Sequence, residues 1–173
     1  MANAWIIVDE RIVTQPIDVT DTVKNHPFGT IVKAKHSTYG FGEFIYLLGV
    51  ANTFAGAMVT YVASTGVTAL STTSGVATGG APIAFAMSAN VASQYGWYQI
   101  AGDVVAYRTA VKFDPANGQR VYLSGTAGRV MQTSVAGRQI IGARFAATAT
   151  ITATTSTAIL TINRPSQKTG TAV

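Results

Sequence analysis

Seven carboxylates, two imidazoles and no thiol are the whole stock from which this chain could build an acid–base or metal site. Asp9, Glu10, Asp18 and Asp21 fall within the first 29 residues, Glu43 opens an apolar run, and Asp103 and Asp114 border turn-forming residues. A glycosidase needs two facing carboxylates, and no spacing here marks such a pair. Asp beside a turn serves the backbone by local hydrogen bonding. A lone Glu43 reads as a satisfied strand-edge carboxylate rather than a catalytic group. His26 precedes Pro27 and His36 follows Lys35, neither beside a candidate nucleophile. There is no G-x-S-x-G elbow, phosphate loop or H-E-x-x-H pair. The absence of Cys removes disulfides, thiolate zinc sites and thiol nucleophiles. The expectation is a protein that is not an enzyme and carries no cofactor or metal.

The elements that would position any site are strands. The chain has 173 residues, a length that fits one domain with its own core. Only 11% are charged, against about a quarter in ordinary domains. Small neutral residues fill the gap, with 27 Ala, 24 Thr and 17 Gly, while two Glu and five Lys leave few charged helix formers. Strand patterns run over Thr30–Lys35, Glu43–Val50, Met58–Val62, Val67–Leu70 and Pro82–Ser88. They continue over Trp97–Ile100, Val104–Lys112, Arg120–Leu123, Arg129–Thr133, Gln139–Ala149, Ile151–Thr155 and Thr157–Asn163. Ser71–Gly80 reads as a loop, and Gly102-Asp103 as a hairpin turn. Short segments with turn signals every 8–12 residues, roughly, predict an all-β fold, a single-domain β-barrel or jelly-roll-like sandwich.

Residues 1–29 read as an extended N-terminal arm, 30–165 as the β-rich body and 166–173 as a polar tail. In the arm, Asp21 is placed to cap one helical turn that Pro27 ends. Trp5 has two readings. It is either a core residue of a first strand or an anchor that docks on a partner, where buried Trp is enriched.

Charge is unevenly distributed. Phe44 to Gly102 holds no ionisable Asp, Glu, Lys, Arg or His, and no acid follows Asp114, whereas Arg120, Arg129, Arg138, Arg144, Arg164 and Lys168 do. These bases are dispersed singly, which argues against nucleic acid as a partner. Apolar runs are far shorter than the roughly 20 residues of a membrane span. The opening MANAWIIVDERIV lacks the basic n-region of a signal segment, so the expectation is synthesis and residence in the cytoplasm. A neutral surface rich in Thr and Ala points to contact with copies of itself or with another protein.

Tyr39–Val50 (YGFGEFIYLLGV), Ala86–Gly102 (AMSANVASQYGWYQIAG), Val121–Val130 (VYLSGTAGRV) and Leu160–Pro165 (LTINRP) carry a resemblance. The chain resembles the capsid decoration, or cement, proteins of tailed bacteriophages over roughly residues 30–165, a span in keeping with one domain. That resemblance implies a β-rich body, a homo-oligomer (trimer before dimer) and a seat on the capsid exterior of the virion. It implies a structural role, clamping neighbouring major capsid subunits, with the basic C-terminal half favouring an acidic shell. The contacts expected of the arm are Trp5, Ile6, Ile7 and Val8, with Arg11 and Lys24 at the rim. Removal of residues 2–13 is expected to leave a folded body that no longer attaches. Other readings are a receptor- or carbohydrate-binding module of a tail or spike, with Tyr95, Trp97 and Tyr98 as an aromatic platform, and a low-copy head–tail connector.

Overall fold

A computed structural model describes residues 5–8, 15–73, 80–109, 112–147 and 149–168. Its strands are β1 (Trp5–Ile7), β2 (Ile31–His36), β3 (Gly40–Leu48), β4 (Met58–Tyr61), β5 (Thr68–Leu70) and β6 (Ile83–Ala86). They continue with β7 (Tyr95–Tyr107), β8 (Arg120–Leu123), β9 (Val130–Met131), β10 (Gln139–Phe145) and β11 (Thr157–Gln167). No α-helix occurs among the described residues. The strands form one antiparallel sheet in the order β1-β2-β3-β7-β11-β10-β8-β9, and β6 joins β7 to the β4–β5 pair. The fold is all-β. The sheet curls without closing, and one bridge between Arg108 and Val130 links the end of β7 to β9. This geometry is consistent with a sandwich or barrel-like body.

The middle layer is β3 against β7, and its near-continuous apolar sequence explains why. Phe44, Ile45, Tyr46 and Leu47 are all buried, so both faces of the strand are covered. Phe44, Tyr46 and Trp97 pack on one face with Trp5, Ile17, Val32 and Ala34. Ile45, Leu47, Tyr98 and Ile100 pack on the other, beneath Val59, Ala84 and Ala86. A third cluster fills the curl made by β7, β11, β10 and β8, where Val104, Leu160, Phe145 and Val121 meet Phe113 and Phe85.

Several boundaries differ from the sequence expectation. Gly102-Asp103 is not a hairpin turn, because β7 runs straight through it. Ala101 pairs with Glu43 of β3 and with Asn163 of β11. Gly102 instead makes a kink with φ +98°, and a Cβ there would lie 2.4 Å from the carbonyl of Phe41. Pro165 does not end β11. Ser166 and Gln167 pair with Ile141 and Ile140 after a register shift, so Pro165 sits at an irregularity where no ladder N–H is required. Ser166 and Gln167, read from sequence as the start of the tail, thus belong to β11. Ile151–Thr155 contributes a single bridge, Phe113 to Ile151, rather than a strand. The carbonyls of Thr152 and Thr155 turn inward to accept from the buried Arg108 guanidinium at 3.2 and 2.6 Å. Asp21 caps no helix. It bridges to Tyr95, and its carboxylate accepts from the Val23 N–H and the Asn25 amide.

The predicted arm also differs over its described residues. Trp5, Gln15, Ile17 and His26 are buried against the body. An extended segment carrying Trp5 and Ile17 gains more by covering the aromatic face of β3 and β7 than by staying in water.

Candidate interaction surface

β1 divides the predicted contact residues between two environments. Trp5 and Ile7 face inward. Trp5 packs edge-on against Phe44 at 4.9 Å between ring centroids, and its ring also lies 4.9 Å from His36. Of the two readings of Trp5, the core residue of a first strand is the one observed. Ile6 and Val8 face outward, with Ile6 68% exposed. The alternation along β1 makes this split unavoidable, since neighbouring side chains point to opposite faces of a sheet.

β2 and β3 extend the same outward face. Ile6 pairs with Lys35, and Lys35 pairs with Phe41, giving one cross-strand row. Phe41 is 64% exposed, and the Lys35 ammonium lies 5.6 Å from the centre of its ring. Lys33 pairs with Glu43 in the neighbouring row, and Ile31, exposed on the same face of β2, pairs with Ile45 in the row after that. Sequence reasoning missed Ile31, Lys33, Lys35 and Phe41 as surface residues. The signal was the alternation Ile31-Val32-Lys33-Ala34-Lys35, whose buried members are Val32 and Ala34. β1 ends the sheet, pairing only with β2 among the described residues. The Val8 N–H prolongs that pairing, donating to the Lys33 carbonyl at 3.0 Å. Among the described residues β1 is thus the last strand of the sheet, beside an apolar and cationic face.

Lys24 lies apart from this face, its ammonium 4.1 Å from the centre of the Phe28 ring. Arg11 lies outside the described residues. Glu43 accepts from Arg164 at 2.7 Å and has Lys33 at 3.9 Å, which matches its reading as a satisfied carboxylate. Both contacts border a groove of about 480 Å³ between Phe41, Ala101 and Asn163. Arg164 reaches Glu43 from a left-handed backbone conformation, φ 44°, at the irregularity in β11.

Trp97 and Tyr98 are fully buried, so they form no surface platform with Tyr95. Burial raises the pKa of the Tyr98 hydroxyl to about 12. No cluster of three or more His, Cys, Asp or Glu occurs among the described residues. No helix among them is long and apolar enough to cross a membrane.

No protein-family model, curated protein or solved structure matches this chain.

Proposed function

We propose that this chain is a structural virion protein of a tailed phage that binds the outer surface of the capsid and strengthens contacts between major capsid subunits. The observation that carries this reading is the outward face of β1, β2 and β3. There Ile6, Val8, Ile31 and Phe41 stay exposed at the β1 end of the described sheet, whose inner face is already filled by Trp5 and Phe44. Exposed apolar groups grouped on one face are the mark of an interface, and Lys33 and Lys35 give that face a charge suited to an acidic shell. The family resemblance over residues 30–165 supports the capsid as partner. Self-association, as a trimer before a dimer, belongs to the same proposal. A protein that binds the assembled shell and not the free subunits stabilises it by mass action.

The first test is the copy number of the polypeptide in purified particles, measured by mass spectrometry against the major shell protein. A simple fraction of the shell subunit count supports decoration. A handful of copies transfers the protein to the neck or tail, and absence from particles overturns the virion reading.

A further inference from the structure

A second surface lies on the far side of the sheet from β1. Arg120 of β8 and Arg144 of β10 are direct partners in the antiparallel register, and both are exposed. Directly opposed like charges on one face of a sheet destabilise it. Asp114, the acid nearest Arg120 in sequence, is taken by Lys112 at 3.6 Å, and no acid follows it. Among the described residues the ion pairs are Lys33–Glu43, Lys112–Asp114 and Arg164–Glu43, and neither Arg120 nor Arg144 takes part. The row continues from Arg144 to Thr161 and from Thr161 to Asp103. Asp103 is therefore two strands away from Arg144, roughly 10 Å at ordinary strand spacing. Its carboxylate already accepts from the Thr161 hydroxyl at 2.8 Å. Two hollows flank the pair, one of about 570 Å³ beside Arg120 with Lys112 and Gln132, the other of about 340 Å³ beside Arg144 with Thr161 and Asn163.

We propose that Arg120 and Arg144 are the anchor for an acidic segment of a partner protein, whose carboxylates enter between and beside the two guanidinium groups. Arginine presents a planar fork that meets a carboxylate with two parallel hydrogen bonds, and one acidic side chain between two such forks converts repulsion into a bridge. A peptide carboxylate fits better than nucleic acid. Single strands are held by long cationic grooves with exposed aromatic rings for the bases, whereas Tyr122, the aromatic beside Arg120, is only 6% exposed. This site uses other strands than the β1–β3 face. The basic C-terminal half also enters the capsid reading, so an acidic shell is one partner that would satisfy the site; the peptide test does not depend on that reading.

The test is binding of a fluorescein-labelled hexaglutamate peptide to the full chain, read by anisotropy at low and high salt. Salt-sensitive binding is expected, weakened about tenfold or more by the double change Arg120→Gln with Arg144→Gln, given the strength of charge-assisted hydrogen bonds. The control, Arg129→Gln with Lys168→Gln, removes the same charge and should change affinity less than twofold. An equal loss in the control would reduce the effect to net charge and overturn the site. So would absence of binding, or tighter binding of an oligothymidylate of equal charge through the same two arginines. A second measurement uses no ligand. Arg144→Thr is expected to raise the melting temperature of the isolated protein by about 2 °C, by relieving the repulsion. A fall would overturn the claim that the pair lacks a counter-charge in the free protein.

Discussion

The indole N–H of Trp97 donates to the main-chain carbonyl of Gln15 at 3.0 Å, and neither residue is appreciably exposed to solvent. The Gln15 side chain works from the same position. Its amide nitrogen donates to the carbonyls of Val19 and Tyr95 at 2.8 and 3.0 Å. Its amide oxygen accepts from the Tyr46 hydroxyl at 2.8 Å and the Asn25 amide at 3.2 Å. One glutamine thus ties the N-terminal segment to both β3 and β7. Replacing Gln15 by Leu leaves several buried polar groups without partners and should cost about 2–4 kcal/mol. Tyr46→Phe, which removes one donor, should cost about 1 kcal/mol. Urea denaturation measures both, and an unchanged midpoint for Gln15→Leu would show that this segment contributes little to the fold.

His26 gives the same region a pH response. Its ring lies 5.0 Å from Tyr46 and 5.1 Å from Trp97, between centroids, and burial holds its pKa below the ordinary imidazole value of 6.5. The unfolded chain therefore binds a proton at His26 more readily than the folded one. Stability should be flat above pH 6.5 and fall as the pH drops below it. Thermal unfolding from pH 7.5 to 5.0 should show this loss, and His26→Gln should flatten it. Asp21 acts in a lower window. Its carboxyl is held below 3.8, first by the Val23 N–H and then by Asn25, so its contribution is lost only in stronger acid.

β1 offers a separation of stability from attachment. Trp5→Ala opens a buried aromatic site and should cost about 3–5 kcal/mol. Ile6→Asp with Val8→Asp alters only outward side chains and should leave the unfolding midpoint within about 0.5 kcal/mol of wild type. The same double variant should lose occupancy on particles stripped of the protein and then refilled. Deleting residues 2–13 is a poorer experiment than the sequence alone implies, because it removes Trp5 from the core along with the outward contacts. Full occupancy by the Asp variant would place the capsid contact elsewhere.

Gly102→Ala should be among the most damaging small changes. The residue has φ +98°, and the added Cβ would meet the Phe41 carbonyl at 2.4 Å, backbone against backbone. Gly40, also at positive φ, has no atom within 4 Å of a built Cβ. Gly40→Ala should therefore show the conformational cost alone, about 1–2 kcal/mol. Gly102→Ala should exceed it clearly in the same denaturation assay.

The class of fold was legible because alternation and β-branching report burial directly, and β8 falls on the predicted Arg120–Leu123. What local pattern could not report was which irregularities end a strand and which merely bend it. Gly102-Asp103 and Arg164-Pro165 look like terminators, yet partners on neighbouring strands carry the ladder across both. The fate of Trp5 was hidden for a related reason. Its place depends on Phe44 and His36, which come from strands far along the chain. The aromatic run Tyr95–Tyr98 likewise shows its chemistry but not its depth, and only the covering segment around Gln15 and Ile17 decides that Trp97 is internal. The opposed arginines were visible as residues. Their meeting was not, since it follows from a pairing whose register slips between Gln139 and Arg144.

β7 has a consequence for how the protein comes to exist. Its thirteen residues are gripped by β3 over one stretch and by β11 over the next, with β6 alongside. Each of those partners except β6 lies some fifty residues or more away in the chain, a distance that makes closure entropically slow and places folding in the millisecond-to-second range rather than the microsecond one. Until Thr157–Gln167 has been synthesised, half of β7 has no neighbour on that side and the curl around Phe145 and Leu160 stays open. The interior can therefore shut only after β11 has emerged, and until then the growing chain exposes an open, adhesive sheet.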